Sequence, residues 1–485
     1  MEKTELKPAI VFHYFEEVCR VPRPSKKEEK IRTYLLNFAK EHGLSAKTDD
    51  AGNVLIEKAA SPGKENLKKV ILQSHMDMVC EKNNDTQHNF ETDPIDTYID
   101  GEWLRAKGTT LGADNGIGIA AELAILASDD IEHGPIQCVF TVDEETGLTG
   151  AFSMKEGFMD GDILINLDSE DEGELFIGCA GGAGTTAKFP CSMIAAPEGY
   201  FFFRVTVKGL TGGHSGDDIN KNRANANKIL NRYLVQLMQN YDLRLCEIDG
   251  GNLHNAIPRE AYALCAVPMS DKEAVRVDLN IYLSDVENEF AVTEPNLQIE
   301  LESESPCAQV MDAKEMKRFL LSIYAVHNGV YAMSQDIPGL VETSSNLASI
   351  KQGNGEIMVV TSQRSSILSS RKDMSMMVSS AFLLGGAAVT TGDGYPGWKP
   401  NPSSEILNIA VESYKRLFHV EPKVKAIHAG LECGLFLEKC PSLDMVSFGP
   451  TLRGVHSPDE RMLIPTVDKF WRHLVDVLAH IPVKA

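Results

Sequence analysis

Histidines and acidic residues stand at the ends of predicted strands, where their side chains could bind metal ions. His75 and Asp77 close the apolar segment VILQSHMD, which the sequence predicts as a strand over residues 69–75. Residues two apart on a strand share one face, so the carboxylate of Asp77 can fix the ring of a ligating His75. An H-x-D pair alone more often has no function, so the prediction depends on further residues.

Asp114 lies in a glycine-rich segment, GTTLGADNGIGIA, just before a predicted apolar helix over residues 116–128. The segment lacks the G-x-G-x-x-G spacing and the lysine of phosphate-binding loops, which argues against a nucleotide site. It is compatible with a loop that presents Asp114 inward while its glycines permit close backbone approach. The alternative is that Asp114 only caps the helix.

Two further predicted strands, residues 137–141 and 163–167, end in acidic residues. The first continues into Glu144 and Glu145, and the second into Asp168. Adjacent carboxylates usually mark a solvated turn. Here they adjoin buried strands, where crowded negative charge costs free energy unless a cation neutralises it. Two acidic strand ends in succession therefore favour a cation site.

A histidine near the C-terminus completes the candidate ligands. It lies in GPTLRGVHSPDE, after the predicted strand MVSF, where a single histidine would usually be a surface residue. Imidazole and carboxylate groups suit zinc, cobalt or manganese rather than a thiolate site. Five ligands are one too many for one tetrahedral zinc ion, but they fit two ions if one carboxylate bridges them. The five candidates are His75, Asp114, Glu145, Asp168 and His456.

The order of predicted elements indicates how these residues are positioned. Alternating strands and helices at both ends of the chain predict an α/β fold with a mainly parallel sheet and helices on both faces. Sites in such sheets lie at the carboxyl ends of the strands. From Tyr200 the order β-α-β-β-α-β predicts a split βαβ, ferredoxin-like α+β domain. We predict a discontinuous α/β domain (1–195 and 396–485), an inserted domain (196–395) and a linker over 392–404.

Length and charge limit the organisation and the partners of the chain. Its 485 residues favour two domains, and 47 basic against 69 acidic residues give a net charge of −22. Such a surface repels nucleic acid and anionic membranes, so we expect neither as a partner. The sequence shows no export signal, no apolar run of ~18 residues and no C-x-x-C pair. We therefore expect a cytoplasmic protein with reduced cysteines.

A set of motifs occurs in order along the chain: SHMDM, GTTLGADNGIG, TVDEETGLTGA, LINLDSEDEGE, GCAGG, KGLTGGHSG, NAIPRE, IHAGLECG and GPTLRGVHSPDE. In these motifs, and along nearly its whole length, the chain resembles the aminoacyl-histidine (Xaa-His) dipeptidases. These enzymes belong to a di-zinc metallopeptidase family that also holds aminoacylases, glutamate-releasing carboxypeptidases and carnosinases. The resemblance implies a zinc-exopeptidase-like fold with an inserted lid or dimerisation domain. It also implies hydrolysis of Xaa-His and related dipeptides, including β-alanyl-histidine.

The resemblance implies a role for each candidate ligand. Asp114 would bridge two Zn²⁺ ions, for which Co²⁺ or Mn²⁺ could substitute. His75 and Asp168 would complete the coordination of one ion, and Glu145 and His456 that of the other. The peptide bond that follows Asp114 is expected to be cis. A water held between two such cations becomes hydroxide near neutral pH.

Further residues acquire catalytic roles from the same resemblance. Glu144 would be the general base that takes a proton from this water, and Asp77 would hold His75 from behind. His214, in KGLTGGHSGDD, would donate a hydrogen bond to the oxyanion of the intermediate. Without the resemblance, His214 would be a turn histidine among glycines.

Three more residues resemble a clamp for the end of the substrate. They are Asn255 in NAIPRE, Arg364 in TSQRSS and the backbone of Gly430 in HAGLE. Arginine can bind a carboxylate through two parallel hydrogen bonds. A clamp at a fixed distance from the metal ions limits substrates to short peptides. The chain also allows a homodimer, in which His214 would act in its own site or in that of the partner.

Two other functions remain open. One is an N-acyl-amino-acid hydrolase or carboxypeptidase that uses the same metal core. The other is a catalytically inactive protein that binds metal or peptide. Resemblance over the full length, including GLECG and GPTLRGVHSPDE, favours the dipeptidase. Glu144 and His214 argue against pure binding, because binding requires neither a base nor an oxyanion donor.

Overall fold

The structure is a computed structural model that describes residues 6–484. The helices in chain order are α1 (Ala9–Cys19), α2 (Glu29–Glu41), α3 (Ala113–Ala127), α4 (Glu144–Gly147), α5 (Thr149–Ser153), α6 (Ala226–Asn240), α7 (Lys272–Glu289), α8 (Ala313–Ala325), α9 (Leu368–Leu384), α10 (Glu405–Phe418), α11 (Cys433–Lys439) and α12 (Ile464–Ala479). A 3-10 helix over Met269–Asp271 precedes α7. Among the described residues, no helix has the length and apolar character that crossing a membrane requires.

The strands are also given in chain order. They are β1 (Ser45–Thr48), β2 (Val54–Lys58), β3 (Val70–His75), β4 (Thr97–Asp100), β5 (Trp103–Ala106), β6 (Ile136–Thr141), β7 (Ile163–Asn166), β8 (Glu174–Cys179), β9 (Gly181–Pro190), β10 (Met193–Ala195), β11 (Tyr200–Lys208), β12 (Gly213–His214), β13 (Arg244–Gly250), β14 (Ala256–Ile257), β15 (Ala261–Pro268), β16 (Gln298–Ser303), β17 (Gln309–Met311), β18 (Gly329–Met333), β19 (Val341–Gly353), β20 (Glu356–Ser365), β21 (Ala388–Thr391), β22 (Lys423–Ile427), β23 (Asp444–Ser447), β24 (Leu452–Arg453) and β25 (Arg461–Leu463).

The first of two compact units is an α/β unit that covers residues 6–178, 400–426 and 431–484. Its main sheet has the order β1-β2-β6-β3-β7-β23-β8-β22. The central strands β6, β3, β7 and β23 are parallel, whereas β1, β2 and β8 join antiparallel neighbours. Strands β3, β6 and β7 are buried along their whole length, as apolar strands covered on both faces must be. The predicted α/β class is confirmed, with antiparallel pairs outside the parallel centre.

The second unit covers residues 179–399 and 427–430. Its large sheet has the order β16-β11-β15-β13-β19-β20-β9-β21, and β18 pairs with β19. The elements β11, α6, β13, β15, α7 and β16 follow one another as the predicted split βαβ arrangement requires, and all their strand pairs are antiparallel. Large side chains such as Phe203, Tyr233 and Phe319 are fully buried in the core of this unit.

The stretch that begins the predicted linker is packed within the second unit. Trp398 is buried, and its backbone exchanges two hydrogen bonds with Cys179, of 2.9 and 3.0 Å. Tyr395 exchanges two more with Gly182, of 2.9 and 3.1 Å. The linker prediction is therefore wrong for residues 395–398, because their backbone groups pair with the end of β8 and the start of β9. The domain boundaries at 195 and 396 stay predictions.

Candidate metal centre

The candidate ligands of the first unit follow the parallel strands at one edge of the sheet. His75 is the last residue of β3, and β7 ends two residues before Asp168. Strand β6 ends at Thr141, and Glu144 begins α4 shortly after it. Because parallel strands bring their carboxyl ends to the same edge, residues far apart in the sequence meet here.

Asp114 lies between two histidines from distant parts of the chain. Its Oδ1 is 3.0 Å from Nε2 of His75, and its Oδ2 is 3.2 Å from Nε2 of His456. Nε2 of His75 is also 3.5 Å from Asp168 Oδ1, and Nε2 of His456 is 3.0 Å from Glu145 Oε2. The five predicted ligands therefore form two groups that share Asp114. The peptide bond that follows Asp114 is cis, as expected.

Asp77 connects the first of these groups to the start of α4. Its Oδ1 is 3.3 Å from Nδ1 of His75 and accepts a hydrogen bond of 3.0 Å from the N–H of Glu144. Its Oδ2 accepts from the N–H of Glu145 at 3.2 Å and from the hydroxyl of Ser25 at 2.8 Å. This buried carboxylate can thus orient both the imidazole and the backbone that carries the two glutamates.

The donor atoms fit a pair of divalent cations. Oε1 of Glu145 is buried without a hydrogen-bond partner, an arrangement that costs about 1–3 kcal/mol for a polar group unless another atom satisfies it. His75, Asp114 and Glu145 each offer a ligand atom, and these atoms lie within 4.8 Å of one another. Two imidazoles and three carboxylates suit zinc, cobalt or manganese.

The crowding of ionisable groups displaces several pKa values. Burial raises the pKa of Asp168 to about 7, and the charges of Asp114 and Glu145 add to this effect. Burial also raises the pKa of Glu144 well above its usual value. Hydrogen bonds with Asp114 and Glu145 raise the pKa of His456 to about 11. Metal ligands must be deprotonated, so a bound cation would oppose the rise in the pKa of Asp168 and His456.

A second group of buried carboxylates, Glu28, Asp77 and Asp143, lies in the same unit. Glu28 Oε1 accepts hydrogen bonds from the N–H groups of Lys26 and Asp143, at 2.8 and 3.0 Å. Asp143 Oδ1 accepts from the hydroxyl of Thr146 at 2.6 Å. Because protein donors already satisfy these oxygens, this group is a scaffold for the loop between β6 and α4.

In the second unit, Arg364 of β20 is a buried cation with neutral hydrogen-bond partners. Its Nε donates to the hydroxyl of Ser215 at 3.3 Å, and its Nη1 donates to the hydroxyl of Tyr395 at 3.0 Å. Its Nη2 lies 3.4 Å from Nε2 of His214. None of these three partners is a carboxylate. A guanidinium group in this setting is well suited to bind a carboxylate ligand.

His214 lies in a short two-stranded sheet formed by β12 and β14. The N–H groups of Gly216 and Asp217 lie 3.3 and 3.2 Å from its Nδ1 and donate to it. Nδ1 also lies 3.4 Å from Oδ2 of Asp217. The N–H of Ser215 donates to the carbonyl of Asn255 at 2.8 Å, which places Asn255 beside this histidine.

Gly430 packs against the tyrosine that binds Arg364. A Cβ atom at Gly430 would lie 2.7 Å from the ring of Tyr395, so a side chain there would displace the tyrosine. The second unit therefore brings the four predicted residues together. Arg364 contacts His214 directly, whereas Gly430 and Asn255 join through Tyr395 and Ser215.

Sequence reasoning did not single out three glutamates of the first unit, of which Glu432 and Glu460 are buried and Glu170 is partly buried. Burial raises the pKa of Glu170 to about 8, and the charges of Asp114 and Asp168 add to this shift. Burial likewise raises the pKa of Glu432 to about 8. The third is Glu460, which binds the backbone around Asp114. All three stand inside quoted motifs, LINLDSEDEGE, IHAGLECG and GPTLRGVHSPDE, which was the available signal.

The fold and this centre define an α/β protein of the metallohydrolase class. Residues 71–481 match the model of peptidase family M20/M25/M40, so the chain belongs to this family. It is 43% identical over 483 residues to the cytosol non-specific dipeptidase of Escherichia coli, and the match covers all of both chains. The resemblance predicted from the motifs is therefore confirmed.

Solved structures agree with this assignment. The aminoacylhistidine dipeptidase of Vibrio alginolyticus is 46% identical, and the match has a TM-score of 0.93 and covers 100% of this chain and 99% of that one. The aminopeptidase PepT of Bacillus cereus is 15% identical with a TM-score of 0.63, covering 98% and 99% of the two chains. The second likeness concerns the fold alone.

Proposed function

We propose that the protein is a metal-dependent dipeptidase that hydrolyses Xaa-His and related dipeptides, including β-alanyl-histidine. Two relatives similar over their full length carry the names cytosol non-specific dipeptidase and aminoacylhistidine dipeptidase. The observation that carries the proposal is the position of Asp114, whose two oxygens each face a different histidine. One carboxylate shared between two ligand groups is the arrangement that a pair of metal ions needs.

We assign two Zn²⁺ ions to these groups, with Co²⁺ or Mn²⁺ as substitutes. His75 and Asp168 would hold one ion, Glu145 and His456 the other, and Asp114 would bridge them. When bound, the ions polarise the peptide carbonyl and lower the pKa of water. The intact set of two imidazoles and three carboxylates, together with the unpartnered oxygen of Glu145, supports this assignment.

Glu144 would move the proton during hydrolysis. Its backbone N–H is fixed by Asp77, and its neighbour Glu145 faces His456. One glutamate can therefore bind metal while the other takes a proton from the attacking water and gives it to the leaving amine. Asp77 would also keep the ring of His75 in the orientation for metal binding.

The residues of the second unit would bind and polarise the substrate. His214 would donate a hydrogen bond to the oxyanion that forms at the scissile carbonyl. Arg364 would bind the terminal carboxylate of the dipeptide, and Asn255 and the backbone of Gly430 would line the same place. The neutral partners of Arg364 support this role, because they leave its charge for the ligand.

Dipeptides are therefore the proposed partners, and a homodimer is compatible with the proposal. We place the activity in the cytoplasm, because the E. coli relative is named a cytosol dipeptidase. Initial rates on Xaa-His dipeptides, other dipeptides, N-acetyl amino acids and tripeptides separate the proposal from an acylase or a carboxypeptidase. A chelator should abolish the activity, and zinc or cobalt should restore it.

The sharpest test of the mechanism is Glu144→Gln. This variant should keep its metal content but lose at least about 10³-fold in kcat, because the amide cannot accept a proton. Glu132→Gln, at an exposed glutamate that pairs with Lys64, is a matched control that should leave kcat unchanged. A Glu144→Gln protein with the parent rate would refute the assigned base. Metal-loaded parent protein that binds dipeptides without turnover would instead support a binding function.

A further inference from the structure

Glu460 is a buried glutamate that accepts hydrogen bonds from four consecutive backbone N–H groups. Its Oε2 accepts from Leu111 at 2.8 Å and from Gly112 at 2.9 Å. Its Oε1 accepts from Ala113 at 2.8 Å and from Asp114 at 3.2 Å. The four donors belong to the segment that leads into α3 and ends at the shared carboxylate of the metal centre. A single side chain thus fixes the backbone on which Asp114 stands.

The same glutamate also fixes the loop that carries His456. It stands four residues after the histidine and just before β25, which pairs with β5. Within the loop, the N–H of Glu460 donates to the carbonyl of Ser457 at 3.0 Å, and the hydroxyl of Ser457 donates to the carbonyl of Gly454 at 2.7 Å. The backbone of His456 is left-handed, with a φ of 61°. The geometry of this loop is therefore defined on both sides of the histidine.

Arg23 donates hydrogen bonds to backbone carbonyl groups of the same region. Its Nη1 donates to the carbonyls of Asp77 at 2.7 Å and Met76 at 3.2 Å, and its Nη2 donates to that of Gly112. A Cβ atom at Gly112 would lie 2.6 Å from this guanidinium and 2.9 Å from the side chain of Met78, which explains the glycine. Two buried side chains, Arg23 and Glu460, thus connect the backbone just after β3, the backbone at the start of α3 and the loop that carries His456.

We propose that Glu460 is a positioning residue that sets Asp114 and His456 at the separation needed to share a metal ion. This inference rests on the proposed function, but it concerns metal affinity rather than peptide hydrolysis. Only a carboxylate can accept all four hydrogen bonds, because the nitrogen of a glutamine side chain is a donor. Replacement by glutamine removes two of the four bonds and turns an N–H₂ group towards two N–H groups.

The test is calorimetric titration of the metal-free full chain with Zn²⁺. In Glu460→Gln, the affinity of the more weakened site should fall by about 10–100-fold, the range seen when groups behind metal ligands are removed. The kcat measured at low zinc should fall with it and recover at high zinc, while KM for the dipeptide stays constant. A residue that only stabilises the fold would not give a defect that metal rescues.

Glu294→Gln is the matched control for a buried glutamate that accepts backbone hydrogen bonds. Glu294 of the second unit accepts from the N–H groups of Thr211 at 2.7 Å and Ala224 at 2.9 Å. Its replacement should lower the thermal midpoint without changing either zinc affinity. If Glu460→Gln does not fold, Glu460→Asp tests the positioning role, because aspartate keeps the charge but its shorter side chain cannot reach all four N–H groups. It should show a smaller loss of affinity.

The outcomes separate the inference from the proposed function. A parent chain that binds two zinc ions, with Glu460 variants that bind them within twofold of the parent, would overturn the positioning role alone. A parent chain that binds no divalent cation would overturn the proposed function and the positioning role with it. Equal loss of zinc affinity in the Glu294→Gln control would also overturn the positioning role, because the effect would then be general destabilisation.

Discussion

The candidate site residues of the two units carry charges of opposite sign. In the first unit, three carboxylates and Glu144 surround two histidines, and the pKa of His456 is raised to about 11 by Asp114 and Glu145. In the second unit, Arg364 lies among neutral partners. The pKa of His428, buried beside Ser344 in that unit, is lowered to about 3 by burial and then by Arg364.

This difference indicates which ligand each cluster suits. Buried charges of one sign are costly unless a ligand of the opposite sign neutralises them. An excess of carboxylates therefore suits cations, and a buried guanidinium whose hydrogen-bond partners are neutral suits an anionic end group. The two histidines differ accordingly: carboxylate neighbours raise the pKa of the exposed His456, whereas burial and then Arg364 lower the pKa of the buried His428. A substitution in the first cluster should therefore affect metal binding, and a substitution in the second should affect binding of the substrate carboxylate.

Asp114→Asn should have the largest effect. An amide offers one oxygen in place of two and carries no charge, so it cannot bridge the two histidine groups. We expect loss of at least one metal ion per chain and a fall in kcat of about 10³-fold or more, as several kcal/mol of electrostatic stabilisation disappear. Metal analysis by mass spectrometry and steady-state kinetics check this expectation.

The control for this substitution is Asp160→Asn in the same unit. Asp160 is an exposed aspartate whose carboxylate pairs with Lys69 at 2.8 Å. Its replacement should change neither metal content nor kcat. An Asp114→Asn protein that retains two ions would contradict the bridging role, and with it the proposal that the five side chains form one centre around a shared carboxylate.

The sequence was sufficient to predict that some of the candidate ligands of the first unit lie together at one edge of the sheet. His75 and Asp168 follow apolar strands that had to be buried, and parallel strands bring such ends together. His456 had no such signal, since a loop histidine is usually exposed, and only the resemblance placed it with Asp114. The split βαβ order of the second unit also followed from alternation and turn residues alone.

Contacts made by the backbone could not be predicted in this way. Glu460 acts through four N–H groups, and Arg23 acts through three carbonyls, so neither needs a partner side chain that a pattern would reveal. The hydroxyl of Tyr395 reaches Arg364 from a stretch whose glycine and proline content predicted a linker. The antiparallel margins of the first sheet depend on short strands such as β1, which is exposed and has no apolar pattern.

Arg364→Lys should have a smaller effect, confined to the anionic end of the substrate. The ammonium group of lysine lacks the planar array of donors with which arginine can bind Ser215, Tyr395 and a carboxylate at once. We expect kcat/KM for dipeptides with a free carboxyl group to fall by about 10–100-fold, mainly through KM, since a charged hydrogen bond contributes about 1.5–3 kcal/mol. Metal content should not change.

Two comparisons decide whether the arginine recognises the carboxylate. Dipeptide amides lack that group, so their slow hydrolysis should be nearly equal in the parent and in Arg364→Lys. Arg232→Lys, in the same unit, replaces an arginine that already has a carboxylate partner in Glu289, at 2.7 Å, and should leave the kinetics of both substrates unchanged. Equal losses on dipeptides and on their amides would argue for a structural role of Arg364.

The smallest expected effect concerns stability and tests whether burial alone can lower the pKa of a histidine in the carboxylate-rich first unit. His473 of α12 is buried, its Nε2 donates to the carbonyl of Ala410 at 2.8 Å, and burial lowers its pKa to about 4. The unfolded chain has a histidine pKa near 6.5 and therefore takes up the proton first as the pH falls. Stability is lost between about pH 6.5 and 4, and this residue accounts for ~2 kcal/mol at pH 5.

His473→Gln keeps a donor for Ala410 but does not titrate. Urea unfolding of the metal-free proteins gives the free energy of unfolding at pH 7 and at pH 5. The decrease between the two pH values should be smaller in the variant than in the parent by about 2 kcal/mol. Equal losses in both proteins would mean that His473 is protonated in the folded state, and that nearby acidic groups such as Asp476 outweigh burial there.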